Sequence, residues 1–520
     1  MKRSLLALIV ITLLIIPVTG LNSPASSRDR ITMILIPLKP PSTMYKNFLP
    51  LKRYLERNLN VSIDIKVAKD SNEIIKHLET GEADIAFLCP TLYCISYNRV
   101  PIVPLVKLSI DGSSGYRSLL LVREDSHVKK TADLLDGTFV YGRYQCPESG
   151  LLPRVMLKRV GISEENLFES VKLGSDESAL ISVMARMFDA TGVSEMAARP
   201  YMGNGLRALR YSYSIPQYLF VARASLGKDF IQKLKQTMLT INGLEDPKSV
   251  VGSIETGVDG LSEAEDRDYD IVRILIKNMP GEKDIILKEK KGVRFVVEPV
   301  FFEPDLFKRL NPLITHLSKK TGLAFQLLIP ENVEDFIDMQ NKGEGAIFLQ
   351  NPHLYTKMTE SNRVRAVASI AETGSPEGRM GIIITNSSGR IKTPKDLADK
   401  KIGITSFSSD DGYLSQKDLL LKEGVPLDSL SFIKLKTYEN VIMKVYRGSV
   451  DAGFVSLSAL WSMEQDIDMN KITILAKTHP LPEWIIGIKS GTDARLADMV
   501  IKALSQFHDR TDFEIKVLKN

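Results

Sequence analysis

The sequence predicts an α/β protein in which one module is built twice, and three observations carry that reading. First, a pattern recurs at a constant offset. Gly81-Glu82-Ala83-Asp84-Ile85-Ala86-Phe87-Leu88-Cys89-Pro90-Thr91-Leu92-Tyr93 returns as Gly343-Glu344-Gly345-Ala346-Ile347-Phe348-Leu349-Gln350-Asn351-Pro352-His353-Leu354-Tyr355. Pro90 and Pro352, Tyr93 and Tyr355, Gly150 and Gly412, and Asp189 and Asp451 all stand 262 positions apart. One register held over so long a stretch marks a duplicated unit of domain size, too long for a solenoid repeat. Second, apolar strand-like runs alternate with amphipathic helical segments, an order that calls for parallel sheets with crossover helices. Third, 520 residues at 44% hydrophobic and 25% charged are enough for two large globular domains.

The elements follow in order. Ile31 to Ile36 is a buried-strand run closed by Pro37. Phe48, Leu51, Tyr54, Leu55 and Leu59 recur at helical spacing and predict a helix over 46–59. Residues 61–67 alternate as a strand, 72–79 form a helix stopped at Gly81, and 84–88 form a short strand. Pro90 then opens a helix to about Asn98. Strands are expected at 117–123 and 138–141, with a short helix over 131–137 between them. A loop from Gly142 to Gly150 leads into a helix ended by Gly161. A helix over 178–187, a strand end at 189–193, a strand at 218–222 and a helix over 229–239 complete the first copy. The second copy repeats the order at 294–297, 307–319, 381–385, 393–399, 401–405, 484–488 and 494–507, with Thr393 as cap and Pro394 in the first turn. Residues 245–285, rich in Gly, Asp and Glu, read as module tail plus linker. The predicted organisation is a leader at 1–20 and modules at 28–285 and 288–520.

The N-terminus reads as a cleavable export signal. Lys2 and Arg3 precede the apolar run from Leu5 to Val18, and Val18 and Gly20 precede a cut near Leu21. An uncleaved anchor is the alternative. No cysteine lies near the cut, so no lipid anchor is expected, and the mature chain is expected in the periplasm. A net charge of +5 gives no reason to invoke nucleic acid or an anionic membrane. Contact with the membrane is expected only through the leader or a partner. The three cysteines, Cys89, Cys94 and Cys146, all fall in the first copy. Their counterparts are Asn351, Thr356 and Ser408, so the module does not need cysteine to fold. One disulfide is possible, with one thiol left over.

The helix FLPLKRYLERNL, the turn GEADIAFLCPTLY, and the pair YRSLLLVREDS and TADLLDG set a pattern. CPESGLLPRVMLKRVG, FDATGVS and IPQYLFVAR extend it. In this order, and repeated, they resemble the phosphonate-binding family of periplasmic substrate-binding proteins. The resemblance implies two tandem type II periplasmic-binding-protein modules, each of two α/β lobes around a cleft. It further implies a small-molecule ligand and an ABC transporter permease as partner. Physics points to the same cleft, because open α/β sheets bind ligands beyond the carboxyl ends of their strands, where helix N-termini present free N–H groups.

Two candidate turns follow per copy. In the first copy they hold Thr91 and Tyr93, then Glu148 and Ser149; in the second, Asn351, His353 and Tyr355, then Ser406, Ser408 and Ser409. The family places hydroxyls at the second turn, to cradle an oxyanion. Here Glu148 in one copy, and Asp410 and Asp411 in the other, bring negative charge that repels a phosphonate or else caps the helix. Asp176 and Tyr438 stand where the family tends to place a histidine, and neither is a cation. By the resemblance, Asp189 and Asp451 face the cleft and suit a cationic ligand group; turn capping is the equal alternative. Tyr45, Tyr93 and Tyr355 either stack on ligand or join the core, and the repeat in register favours the ligand for the latter two. Cys89, Cys94 and Cys146 fit small buried side chains better than a thiophilic site. No nucleophile-elbow, metalloprotease, Walker or paired Cys-x-x-Cys motif occurs, so neither an enzyme nor a metal or cofactor is expected. The expected function is capture of a small polar solute, not a simple phosphonate, for an ABC transporter. The alternative is a ligand sensor reporting to a membrane histidine kinase. The second cleft, which keeps its serines, is the expected working site, and each module is expected to fold alone.

Overall fold

The computed structural model describes residues 30–279, 292–360, 363–372, 378–508 and 513–518. The predicted leader lies outside them. Each copy forms two α/β lobes, each lobe around its own sheet. In the first lobe of the first copy the strand order is Val258–Glu263, Ile102–Ile110, Leu219–Arg223, Ile85–Leu88, Arg30–Leu35 and Ser62–Val67. The second copy repeats it strand for strand: Phe513–Val517, Val364–Glu372, Trp484–Lys489, Ile347–Gln350, Val293–Val297 and Phe325–Leu328. The second lobes match equally well. Leu206–Tyr211, Ser118–Arg123, Ala190–Ser194, Thr138–Tyr141 and Glu169–Lys172 correspond to Ile472–Lys477, Gly381–Asn386, Ala452–Ser456, Lys401–Ile404 and Ser431–Lys434.

The sheets are mixed rather than parallel. Arg30–Leu35 runs parallel to both neighbours, but Leu219–Arg223 is antiparallel to both of its own. The cause is that the chain crosses between lobes twice, so the returning strand enters the first sheet from the opposite end. The two crossovers of the first copy pair briefly, Ile215 opposite Tyr116 and Pro216 opposite Gly115. The stretch read as tail and linker is more structured than expected. Val258–Glu263 forms the edge of the first sheet, and the helix Asp270–Lys277 follows it. The first helix, Pro41–Leu59, starts five residues before the predicted 46, because Pro41 seeds its first turn. Its apolar stripe, Met44, Phe48, Leu51, Leu55 and Leu59, is fully buried.

The repeated glycines have a steric cause. A Cβ on Gly150 would lie 1.7 Å from the Tyr144 carbonyl oxygen, and one on Gly412 would lie 2.7 Å from Ser409 Oγ. Both sit in a single wide helical turn, Pro147–Leu151 or Asp410–Leu414, that opens the following helix.

The modules share a polar interface that independent folding does not anticipate. Arg159, at the end of the helix Leu152–Arg159, is 5% exposed. Its guanidinium meets Asp466 at 2.7 Å and Asp305 at 2.9 Å, both in the second module. Thr131 Oγ1 donates to Asp466 at 3.1 Å, Tyr213 OH donates to Asp305 at 2.6 Å, and Arg447 donates to the Val160 carbonyl at 2.7 Å. Removing one partner of a buried pair strands the other. Arg159→Met is therefore expected to cost about 3–5 kcal/mol in urea denaturation. Arg117→Ala, which cuts an exposed pair to Glu195, should cost less than about 1 kcal/mol. Equal costs would contradict this account of the interface.

Candidate functional site

In both modules the two lobes meet over their strand ends, and buried charge fills the meeting place. In the first module the turn Pro147–Leu151 carries Glu148, 3% exposed. Tyr116 and Tyr218 each donate a phenol proton to its carboxylate at 3.0 Å, and Arg143 approaches at 3.5 Å. Arg143 also binds Asp176 at 2.8 Å, and Ser149 Oγ donates to the same carboxylate at 2.6 Å. Burial raises the Glu148 carboxyl above the ordinary range, and Arg143 opposes the shift. Burial also works against Asp176, but Arg143 and Ser149 outweigh it and hold that carboxyl low. All three thiols are free and buried. Cys89 Sγ caps its helix by accepting from Leu92 N at 3.4 Å, and burial pushes its thiol up to about 12. Burial, with the Glu148 carboxyl beside it, raises the Cys146 thiol, and Arg143 opposes the shift. Cys94 turns away and donates to the Tyr269 carbonyl at 3.7 Å.

The second module builds a denser cluster. Arg379, 6% exposed, binds Asp410 through two nitrogens, one contact at 2.9 Å, and lies 3.2 Å from Asp411. It also donates to the Pro482 carbonyl at 2.7 Å and stacks over Trp484, 5.0 Å from the ring centre. Tyr438 OH donates to Asp411, and Ser409 Oγ lies 2.9 Å from that phenol. Glu298, 1% exposed, accepts from Asn351 N at 2.9 Å and from Asn351 Nδ2 at 2.8 Å. Asn351 Nδ2 also reaches the Ser408 carbonyl across the cleft at 3.2 Å. Burial, with Asp410 and Asp411 nearby, pushes the Glu298 carboxyl up to about 8; the Asn351 donors resist. Burial also raises Asp410, against the pull of Arg379. Thr405 Oγ1 is buried here without a hydrogen-bond partner.

The structure thus gathers Glu148, Ser149 and Asp176 in one cleft, and Asn351, Ser408, Ser409 and Tyr438 in the other. Ser406 supports the loop, its Oγ accepting from Ser408 N at 3.2 Å. Thr91 lies in the first turn of its helix, with its buried Oγ1 unpartnered. Tyr45 is 44% exposed near the start of Pro41–Leu59, and His353 is half-buried at the start of Pro352–Thr359. Burial and Lys357 lower the His353 pKa.

Two residues lie elsewhere than expected, and two take the capping alternative. Tyr93 is fully buried, donates to Asp266 at 2.7 Å and packs on Tyr269; Tyr355 OH accepts from Ala366 N at 3.2 Å. Their rings brace lobe cores and do not wall clefts. Asp189 accepts from Thr138 N and Oγ1, each at 2.8 Å, and Asp451 accepts from Lys401 N at 2.8 Å. Both precede their strands, so they stand at the sheet end opposite the cleft. The capping alternative holds in part: the Glu148 carboxylate accepts from its own backbone N–H as well as from the two phenols, and Asp410 Oδ1 accepts from the first-turn N–H of Asp411 at 2.9 Å. Sequence reading missed Arg143, Arg379, Glu298, Tyr116 and Tyr218. One signal was present: Arg379 stands 262 positions after Arg117.

The chain belongs to the family of phosphonate ABC-transporter periplasmic substrate-binding proteins, whose sequence profile matches residues 33–269 and again 295–520. The phosphate-import protein PhnD of Mycolicibacterium smegmatis is 23% identical over 302 residues, covering 51% of this chain and 92% of that protein. XAC2383 of Xanthomonas citri, solved bound to ATP, is 17% identical with a TM-score of 0.44, covering 50% of this chain and 99% of that one. PhnD1 of Prochlorococcus marinus, solved with methylphosphonate, is 15% identical with a TM-score of 0.42, covering 48% and 97%. The twofold family match gives the chain a tandem of two periplasmic-binding modules and a solute-binding role. Among the described residues, no helix is long and apolar enough to cross a membrane.

Glu298 yields a pH prediction. Its carboxyl ordinarily titrates near 4.5 and is raised to about 8 in the folded chain. The folded state therefore holds this proton more tightly than the unfolded state. Its contribution to stability is complete below the ordinary value and is lost as pH rises through about 8. Glu298→Gln should shrink the drop in melting temperature between pH 5 and pH 9. An unchanged drop would contradict the assignment.

Proposed function

We propose that the chain is an exported, periplasmic solute-binding protein that captures a small polar ligand for an ABC transporter, and that this ligand is not a simple phosphonate. One observation carries the reading. At the turn where the family cradles an oxyanion, each module buries a carboxylate, Glu148 in the first and Asp410 in the second. A dianion brought beside either meets repulsion in a site of low dielectric. Asp411 adds to that repulsion in the second cleft. A ligand with an ammonium group or several hydroxyl donors suits these acceptors better. Ser408, Ser409, Asn351 and Tyr438 are the polar contacts on offer there, and Asp451 is not among them. The modules proposed for this work are 28–285 and 288–520.

A second reading has one observation in its favour. The interface through Arg159 couples the modules, and coupling suits a sensor that reports ligand to a membrane kinase. Stimulation of a reconstituted transporter ATPase by the loaded protein supports the first reading; its absence, with a kinase responding instead, supports the second.

In calorimetry on the full chain, inorganic phosphate and methylphosphonate are expected to bind more weakly than about 1 mM, a binding free energy of about −4 kcal/mol. Micromolar binding of either would overturn the ligand class. Native mass spectrometry of protein purified from its source is expected to show a retained small molecule without phosphorus.

A further inference from the structure

We propose that the two clefts open and close together, because the four lobes are tied into a closed ring. The inference rests on the solute-binding reading for its purpose, but not for its geometry. Within each module the chain passes from first lobe to second and back, and in the first module the two crossovers pair at Ile215 opposite Tyr116. Between modules, second lobe meets second lobe. Arg159, Ala132 and Thr131 converge on Asp466, with Ala132 N donating to its carbonyl at 3.0 Å, and Lys130 Nζ donates to the Glu464 carbonyl at 2.7 Å. From the other side, Arg447 holds the Val160 and Gly161 carbonyls at 2.7 and 3.1 Å.

First lobe also meets first lobe. The helix Asp270–Lys277 packs on the first lobe of its own module, where Arg273 lies over the rings of Tyr93 and Tyr97. Its end meets the second module. Lys277 pairs with Glu303 at 3.1 Å, and Asn278 Nδ2 donates to the same carboxylate at 2.9 Å. Two braces tighten the ring. Arg159 and Tyr213 cross from the first module to Asp305, in the first lobe of the second module. Lys158 reaches back to the Asn278 carbonyl.

Arg159 therefore joins both lobes of the second module, through Asp305 on one and Asp466 on the other. Any opening of the second cleft that separates those lobes must stretch one of these buried pairs. A buried guanidinium that loses a partner is costly, so the lobes of the two modules are expected to move in step. Ligand entering either cleft then biases the other, and the coupling is reciprocal.

The test reads geometry and uses no ligand, so its failure leaves the solute-binding reading standing. Spin labels go on the full chain at Lys76→Cys and Ile181→Cys across the first cleft, and at Lys342→Cys and Lys422→Cys across the second. All four positions are exposed, whereas the native thiols are buried. Cys89→Trp then places a ring at a cleft position only 2% exposed, to wedge the first module open. The expected result is a longer mean distance across the second cleft as well as the first. That shift should shrink when Arg159→Met cuts one joint. It should also shrink with Glu303→Ala, which cuts the other at a surface helix start and spares the buried cluster. A second pair that stays put under the wedge overturns the proposal. So does a second-cleft shift of full size in both cut variants.

Discussion

The structure depends on how a buried carboxylate is neutralised at the turn that opens one helix in each module. An ionised carboxylate cannot be left alone in a site of low dielectric; it needs a cation, hydrogen-bond donors or a proton. The two modules meet the need differently. In the first, the cation is Arg143, within the loop, and the equivalent position in the second is Thr405. In the second, the cation is Arg379, at a crossover, and its equivalent in the first is Arg117, which lies at the surface on Glu195. The charge balance is kept while the residue that supplies it has moved from loop to crossover. Such compensation implies that the carboxylate itself, and not one particular ion pair, is the feature that constrains both copies.

Much of the fold was legible in sequence because its signals are local. Helical spacing, proline at first turns and glycine at helix ends placed most elements, and the constant offset showed that the order occurs twice. The edge strand Val258–Glu263 escaped because Gly260 and flanking acids disguise its alternation. The site was legible only where backbone position decides the outcome. Glu148, Asp410 and Ser409 follow from the turn that carries them. Tyr93 and Tyr355 share that logic but fail it: repetition in register shows that a ring is needed, not which way it points. Asp189 and Asp451 take the capping alternative for a related reason. A strand has two ends, and an acid preceding it caps the end away from the ligand. Arg143 and Glu298 gave no warning, since Asp176 and Asn351 are distant from them in sequence and only the folding of a single lobe brings each pair together.

The interface was the least legible part. Arg159 reads as an ordinary basic residue in the last turn of a helix, where a cation favours the dipole. Nothing local says that Asp305 and Asp466 will bury it. A guanidinium at 5% exposure needs a fixed set of acceptors, and that need sets the relative placement of the modules more tightly than a flexible linker would.

Duplication with divergence fits this arrangement better than duplication for capacity alone. Two identical modules on a string would gain from each other only through effective concentration. Here the clefts differ in kind. One sets two thiols and two phenols around Glu148, and the other sets one guanidinium among three carboxylates. The helix that begins at the first module's charged turn ends at Arg159, against the second module. One helix of eight residues therefore spans from that turn to the interface with the second module. The chain is organised as one device with two unlike mouths, and the physical link between them is a helix with a cleft at its start and a buried cation at its end.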